Sequence, residues 1–398
     1  MQSLPDSDRA LDQAVGAAGG PPETLRQTLT LARRWRPAPD ELSLEVAYAF
    51  RRDGAGTRIE ARLGPHRLML DEPVRLGPVE VAKPWGREIW FTGIEARGES
   101  TIETDAGALP LSQYLALAPK RLTGRRPLVL LKVLDPRPEP VLGDLYFEVH
   151  EQKREVYVVT HVDRRAWPDG RGAIRFGMNP ALRRRYADDD AFRRDYLGAV
   201  RRYEAVRRAL DAGDTSRAGE EPALRAAMDA FTAVRPLEVG DVVVVPTWLP
   251  HALQHGVRVV EFQTPTYERY ILSFAQKVLT QPHWDTEAAL PRMRLDVPEP
   301  PRFEPVAPGA ERIVAFEDFR VWRVAVPGRG RFTLPDHPSY GLCMVVQGEL
   351  GLGGLRLGPE QAAFVPRAAL AGPHRAELAT LVNDSRQPAV VLLAAPDL

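Results

Sequence analysis

Two short segments of the chain carry the side chains best suited to chemistry. The first contains Glu148 and His150 and ends at Glu155, and the second ends at His251. Imidazole nitrogens and carboxylate oxygens are ligands that divalent metal ions accept in proteins. Two histidines and two carboxylates therefore predict a metal site.

Both segments have the pattern of β-strands, which would position these ligands. Alternation along the first strand places Glu148 and His150 on one face. Glu155 opens a run of β-branched and aromatic residues, which predicts another strand. Gly240 begins a turn that is followed by four valines, a proline and, further on, His251. We therefore expect the four ligands on neighbouring strands.

The composition is that of an ordinary globular protein, and the length is sufficient for two or three domains. The chain has 398 residues, 44% hydrophobic and 27% charged, and its net charge is zero. This balance gives no reason to expect nucleic acid or an anionic membrane as a partner. Cys343 is the only cysteine, so internal disulfides are excluded. We see no signal peptide and no run of about 20 apolar residues, and we expect a cytoplasmic protein.

The remaining pattern predicts a mainly β protein with one helical insertion. Residues 1–80 form an extension with a helix over 23–35, followed by a β-hairpin that turns at Asp53-Gly54. Short strands continue to about residue 162, with a helix near 111–117. Many short strands separated by glycine and proline are typical of sandwiches or jelly rolls.

A helical insertion is expected at about residues 163–236. Asn179-Pro180 predicts a cap and first turn, and apolar residues then recur at helical spacing from Phe192 to Leu210. The proline-rich stretch 298–308 predicts a linker before a second all-β unit over 309–398. His337 and His374 of that unit lack partners at ligand spacing, so no metal is expected there.

The two metal-ligand segments resemble the two signatures of the cupin family. Glu148 stands where most cupins have a first histidine, and Trp248 replaces the usual glycine after the proline. Within the cupins, the helical insertion resembles that of the type I mannose-6-phosphate isomerases. Further segments resemble the same family: Lys83–Trp90, Gly98–Ser100, Leu128–Asp135, Lys153–Glu155, Pro250–Leu253 and Glu261–Arg269.

This resemblance covers roughly residues 80–398. It implies tandem cupin (jelly-roll) domains, with the metal-binding domain over 81–294. The ligands that it implies are Glu148 (usually glutamine in the family), His150, Glu155 and His251. The residues that it implies for the substrate site are Lys132, Lys153, Glu261 and Arg269, with Arg258 as an alternative to Arg269.

Three features depart from the family pattern. Only four residues separate His150 from Glu155, where the family has a long segment. Tyr146 stands where the family usually has a serine that helps to bind phosphate. Arg269 lies closer to the Glu261 block than usual.

The implied activity is metal-dependent isomerisation of mannose 6-phosphate and fructose 6-phosphate. A metal can polarise the carbonyl while a proton moves between C1 and C2. Zinc is the first expectation, and manganese or iron(II) would also suit two nitrogens and two oxygens. Glu261 is the expected base.

Two alternatives remain open for the function. The first is a sugar-binding or regulatory cupin without turnover. The second is a metal cupin enzyme with another substrate, such as an iron-dependent dioxygenase. The expected partner is a small sugar or sugar phosphate, and the sequence gives no oligomeric state.

Overall fold

The chain folds mainly into β-strands, which confirms the predicted class. The computed structural model describes residues 7–17 and 20–397. The chain divides into two compact units. Unit 1 comprises the chain up to Val81, Trp90–Lys132 and the chain from Arg302, and unit 2 comprises Ala82–Ile89 and Val133–Pro301. The domain borders expected from the sequence, near residues 80 and 309, stay a prediction. In the described ranges, no helix is long and apolar enough to cross a membrane.

Unit 1 begins with a short helix and a four-stranded antiparallel sheet. These elements are α1 (Ser7–Val15), β1 (Thr24–Arg33), β2 (Asp40–Arg52), β3 (Thr57–Leu63) and β4 (His66–Met69). The strands are neighbours in chain order. The predicted turn is confirmed, since the Asp53 side chain accepts hydrogen bonds from the backbone N–H groups of Ala55 and Gly56, both at 2.9 Å. This turn joins β2 to β3.

The helix predicted over residues 23–35 is wrong, because β1 occupies this segment. Leu29 and Leu31 are buried and alternate with the exposed Thr28 and Thr30, which is the period of a strand. All ten residues of β1 are paired with β2. Pairing along the full strand outweighs the weak helical spacing of the apolar residues, because local propensity is small compared with tertiary context.

The chain continues through short strands and two helices. These are β5 (Val74–Gly77), β6 (Val79–Lys83), β7 (Gly86–Trp90), β8 (Ile94–Glu95), β9 (Gly98–Glu99), β10 (Thr101–Thr104), β11 (Gly107–Pro110), α2 (Leu111–Leu117), α3 (Pro119–Thr123) and β12 (Leu130–Pro136). The helix predicted near residues 111–117 is confirmed by α2.

Unit 2 is built on two sheets and a group of helices. Its further elements are β13 (Phe147–Val149), β14 (Glu155–Val162), β15 (Gly172–Met178), α4 (Pro180–Arg183), α5 (Asp189–Asp211), a 3₁₀ turn (Ala218–Glu220), α6 (Glu221–Asp229), β16 (Thr232–Leu237), β17 (Val242–Val245), β18 (His251–Leu253), β19 (Val257–Gln263), β20 (Tyr270–Ser273) and α7 (Thr286–Ala289). The strand orders are β17-β14-β19-β12-β7-β6 and β16-β15-β18-β13-β20.

An apolar core joins the two sheets of unit 2. Val159 and Val243 of the six-stranded sheet pack in one cluster with Phe176 and Leu253 of the five-stranded sheet. The pairs β13–β18, β14–β19 and β15–β18 are antiparallel, and each strand turns alternate side chains toward the core. Polar residues on the core-facing side are therefore brought into the interior between the sheets.

The predicted helical insertion is confirmed but occupies a narrower range than 163–236. Its helices run from residue 180 to 229, because β15 and β16 on either side belong to the five-stranded sheet. Asn179 caps α4, as predicted, by accepting from two backbone N–H groups. The buried face of α5 carries the predicted apolar residues at helical spacing, from Phe192 to Val206.

The C-terminal part of the chain forms the remainder of unit 1. Its elements are β21 (Glu304–Ala307), β22 (Ala310–Ala315), β23 (Phe319–Val326), β24 (Arg331–Thr333), β25 (Gly341–Gln347), β26 (Leu350–Leu352), β27 (Leu355–Leu357), β28 (Ala362–Val365), α8 (Arg367–Leu370), α9 (Arg375–Leu378), β29 (Thr380–Val382) and β30 (Ala389–Pro396). Together with β5, β10 and β11, the strands form the sheets β11-β10-β5-β28-β25-β30-β23-β22-β21 and β24-β29-β26-β27.

The core between these two sheets consists of apolar side chains such as Val345, Leu352 and Val391. The linker predicted over residues 298–308 is partly wrong, because β21 lies within it and pairs with β22. All four residues of β21 are exposed at the edge of the sheet, a position where proline is tolerated.

Candidate metal centre

The five-stranded sheet of unit 2 brings together three of the predicted ligands. Glu148 on β13 is the register partner of His251 on β18. His150 is the first residue after β13. One ligand atom from each of the three side chains lies within 4.8 Å of the other two. Within the part of the chain that the structure describes, this is the only group of three or more His, Cys, Asp or Glu residues with such spacing.

Glu155 reaches the same cluster from the other sheet. It is the first residue of β14, and its Oε1 lies 3.4 Å from Nε2 of His150. Its Oε2 lies 3.1 Å from Nε2 of His251. Glu148 Oε1 lies 3.6 Å from Nε2 of His150. The four side chains predicted as ligands thus form one continuous cluster.

The orientation of both histidines suits metal binding. Nδ1 of His150 lies 3.0 Å from the backbone carbonyl oxygen of Glu268, and Nδ1 of His251 lies 2.9 Å from that of Leu249. A carbonyl oxygen can only accept, so each Nδ1 carries the proton. In the neutral imidazole this leaves Nε2 with a lone pair, the form in which histidine binds a metal.

The spacing of the donor atoms also fits a metal ion. Ligand atoms bound at 2.0–2.1 Å in a tetrahedron lie roughly 3.3 Å apart, close to the 3.1, 3.4 and 3.6 Å found here. Oε2 of Glu148 is buried and has no hydrogen-bond partner among the described residues. Such an atom is costly to bury without a ligand. The residues present therefore fit a bound divalent ion.

Glu155 is charged although it is buried. It is 1% exposed, and it contacts Nζ of Lys153 at 2.5 Å and the hydroxyl of Tyr157 at 2.5 Å. Burial would raise the pKa of Glu155, but the charge of Lys153 contributes most to holding that pKa well below its ordinary value. The carboxylate is therefore available as an anionic ligand at neutral pH.

Glu261 lies on the same face of the six-stranded sheet as Glu155. It is paired with Tyr157 across β14 and β19, and paired residues place their side chains on one face. It is 1% exposed. Its charge raises the pKa of Tyr157, after burial and the charge of Glu155.

The two predicted lysines are both largely buried, each 8% exposed. Lys153 contacts Glu155, and Lys132 lies on β12, which is next to β19 in the sheet.

Arg269 lies close enough to the cluster to interact with the charge of Glu148. The Arg269 guanidinium is stacked on the ring of Tyr146, 4.5 Å from its centroid, and donates to Oγ1 of Thr280 at 2.8 Å. Burial would lower the pKa of Arg269, but the charge of Glu148 contributes most to raising it above its ordinary value. Arg258 forms an ion pair with Asp135 at 2.7 Å.

Three further histidines have contacts with other residues of the chain. Nδ1 of His255 contacts Asp144 at 2.7 Å, and its ring stacks on Trp167 with 4.8 Å between centroids. His337 accepts a hydrogen bond from the backbone of Ser339, and Nε2 of His374 lies 3.2 Å from Asp53.

Trp248 adopts a backbone conformation that normally belongs to glycine. Its φ is +61°, the left-handed region that costs an L-residue roughly 1–2 kcal/mol. Its N–H donates to the carbonyl oxygen of His150 at 2.7 Å. Its ring packs against Tyr270, 5.4 Å between centroids, and under the guanidinium of Arg292.

Sequence reasoning missed three residues at this site. Tyr157 binds Glu155, and strand alternation could have revealed it because the two are two residues apart. Gln263 is paired with Glu155, and its Oε1 is buried with no hydrogen-bond partner among the described residues. Glu268 contacts the loop after His150, and no local pattern marks it, because the contact depends on how the chain folds back.

Comparisons with known proteins support the fold. No protein-family model matches the sequence, and no curated protein sequence matches it significantly. Solved structures do match. Mannose 6-phosphate isomerase from Bacillus subtilis has 15% identity and a TM-score of 0.56, over 81% of this chain and 99% of the other. A mutant of phosphomannose isomerase from Salmonella typhimurium has 13% identity and a TM-score of 0.61, over 82% and 100%.

A zinc-bound mannose 6-phosphate isomerase is similar to the same degree, with 12% identity and a TM-score of 0.61 over 82% of this chain and 100% of that chain. At this level of identity the likeness concerns the fold. The fold and the cluster together define a mainly β protein that has the fold of these isomerases and a candidate site for a divalent metal ion.

Proposed function

We propose that this protein is a metal-dependent aldose–ketose isomerase that interconverts mannose 6-phosphate and fructose 6-phosphate. The observation that carries the proposal is the cluster of Glu148, His150, Glu155 and His251, with Glu261 buried on the face that also carries Glu155. The names of the structurally similar proteins support this choice of reaction.

The four clustered side chains would hold the metal through two imidazole nitrogens and two carboxylate groups. Zinc is the first choice for such a set, and manganese or iron(II) would also suit it. A bound metal would polarise the sugar carbonyl and stabilise the negative charge that develops on its oxygen.

The chain itself would supply proton transfer and binding. Glu261 would remove the proton from C2 of the aldose and return it to C1, the role of a general base followed by a general acid. Lys132 and Lys153 would place positive charge near the oxygen atoms that carry the developing charge. Arg269 would bind the far end of the substrate, because its guanidinium can form paired hydrogen bonds with a phosphate.

The test is turnover of mannose 6-phosphate by the purified protein, measured before chelation, after chelation, and after zinc, manganese or iron(II) is restored. We expect metal-dependent formation of fructose 6-phosphate. Glu261→Gln should retain the metal and lose turnover by about 100-fold or more. A metal-loaded wild-type protein without turnover would exclude the proposed reaction, and full activity of Glu261→Gln would exclude the proposed base.

A second candidate is a sugar-binding cupin without turnover, and the surroundings of Arg269 favour it. The guanidinium is already stacked on Tyr146 and hydrogen-bonded to Thr280, and Lys153 is paired with Glu155. Arg269 and Lys153 both have partners within the protein, so each would bind a phosphate more weakly. Calorimetric binding of a sugar or sugar phosphate, with no product formed, would favour this candidate.

A further inference from the structure

The loop between His150 and Glu155 is held by one carboxylate. The backbone N–H of Glu151 donates to Oε1 of Glu268 at 2.7 Å. The next two, of Gln152 and Lys153, donate to its Oε2 at 3.0 and 3.3 Å. Three successive N–H groups form a concave donor site that attracts an anion, and here the anion is a side chain of the same protein.

Glu268 also fixes the orientation of His150. The backbone carbonyl oxygen of Glu268 accepts a hydrogen bond from Nδ1 of His150 at 3.0 Å. Nε2 of His150 is therefore the nitrogen turned toward Glu148 and Glu155. One residue therefore contacts the chain at His150 and at each of the next three positions.

The position of this loop matters because of what it carries. The backbone N–H of Lys153 is the third donor to the Glu268 carboxylate. The Nζ of Lys153 contacts Oε1 of Glu155 at 2.5 Å. Displacement of the loop would move Lys153 and His150 together. The loop has only four residues between His150 and Glu155, so it cannot form an independent folded segment of its own.

A second set of contacts holds the same loop through the Glu151 side chain. Oε2 of this carboxylate accepts from the hydroxyl of Tyr270 at 3.1 Å, and Oε1 accepts from Arg292. These contacts do not involve Glu268. We therefore expect a change of Glu268 to make the position of the loop less exact without unfolding it.

We propose that Glu268 is the positioning residue of the metal centre, whose carboxylate holds residues 151–153 and thereby places His150 and Lys153. The inference rests on the metal site of the proposed function, but it does not depend on the substrate. Partners of this kind, which orient the ligands, typically change metal affinity about 10–100-fold when they are removed.

The test uses three variants of the full-length protein. Glu268→Ala removes the carboxylate and leaves the backbone carbonyl that binds His150. Glu268→Gln retains one acceptor oxygen and replaces the other with a donor. Glu299→Gln is the matched control, since Glu299 is an exposed carboxylate of unit 2. Zinc affinity is measured by competition with a chromogenic chelator, and amide hydrogen exchange is measured over residues 148–156.

We expect Glu268→Ala to bind zinc about 10–100-fold more weakly and to exchange the amides of residues 151–153 faster. Glu268→Gln should give a smaller loss, and Glu299→Gln none. Cobalt(II) bound to Glu268→Ala should also show an altered visible spectrum, which a general loss of stability would not cause. If Glu268→Ala does not fold, Glu268→Gln carries the test with the same readouts.

The inference would be overturned if Glu268→Ala bound zinc with an affinity within twofold of wild type, whatever happens to the melting temperature. If only Glu268→Gln folds, the same criterion applies to that variant. This result is separate from the proposed reaction. A protein whose zinc affinity depends on Glu268 but that does not convert mannose 6-phosphate would retain the inference and lose the reaction. If wild type converts mannose 6-phosphate and the variants bind zinc as wild type does, the reaction is retained and the inference is lost.

Discussion

Oε2 of Glu155 lies 3.1 Å from Nε2 of His251, although Glu155 belongs to the six-stranded sheet and His251 to the five-stranded sheet. The same carboxylate approaches His150 with its other oxygen. The candidate metal centre therefore joins the two sheets of unit 2. A metal held by these side chains would cross-link the sheets and bind the folded state in preference to the unfolded chain.

Metal binding should therefore stabilise the protein. At a free zinc concentration 100 times the dissociation constant, linkage adds about 2.7 kcal/mol to the free energy of unfolding. We expect the melting temperature to rise on addition of zinc and to fall after chelation, as measured by calorimetry. His251→Ala should abolish this shift because it removes one ligand of the cluster. An equal zinc-induced shift in His251→Ala would place the bound metal elsewhere.

Tyr146 should determine how well the site accepts a phosphate. Its ring covers one face of the Arg269 guanidinium and packs against Phe274, with 4.1 Å between centroids. Tyr146→Ser would uncover Arg269 and add a small hydroxyl, so we expect the KM for mannose 6-phosphate to fall severalfold. The lost packing should lower the free energy of unfolding by about 3 kcal/mol.

Tyr146→Phe is the control for this prediction, since it retains the stacked ring and should leave KM nearly unchanged. Steady-state kinetics with mannose 6-phosphate and unphosphorylated mannose would separate the phosphate contribution. If Tyr146→Ser raises the KM for both sugars equally, the tyrosine does not control phosphate binding.

The sequence predicted those parts of the site that depend on local pattern. Glu148 and His150 are two residues apart on an extended segment, so strand alternation alone places them together. The role of Glu268 could not be predicted, because its carboxylate meets residues 151–153 only after the chain has folded back from β19. The wrong helix over β1 has the same cause, since its pairing with β2 is a contact between separate segments.

Trp248 should be under backbone strain, and two variants can measure it. Trp248→Ala and Trp248→Gly both lose the contacts with Tyr270 and Arg292, so each should be less stable than wild type by about 2 kcal/mol. Alanine retains the strain of a positive φ, whereas glycine relieves roughly 1–2 kcal/mol of it. The greater conformational freedom of glycine in the unfolded chain reduces this gain in stability by about 0.4–1 kcal/mol.

We therefore expect Trp248→Gly to be more stable than Trp248→Ala by about 0.5–1 kcal/mol, as measured by denaturant unfolding. Substitution of the exposed Val239, which lies on the turn before β17, by alanine and by glycine gives the matched comparison at an ordinary position. An alanine variant as stable as the glycine variant at position 248 would show that the strain is absent.

Asp144 should make the stability of unit 2 depend on pH in the acid range. Oδ1 of Asp144 accepts from the backbone N–H of His255 at 3.0 Å and contacts Nδ1 of that residue at 2.7 Å. Burial would raise the pKa of Asp144, but the hydrogen bonds and charge of His255 lower it below its ordinary value of 3.8. The unfolded chain therefore takes up this proton at a higher pH than the folded protein does.

The stabilisation from Asp144 is thus fully present above pH 3.8 and is lost as the pH falls through the lower pKa of the folded state. Asp144→Asn should be less stable than wild type at pH 7, and the difference should shrink as the pH falls below 3.8. Urea unfolding of both proteins between pH 3 and 7 measures this. The exposed variant Asp169→Asn should show no such trend, and a constant difference for Asp144→Asn across the range would mean that the pKa of Asp144 is not lowered by folding.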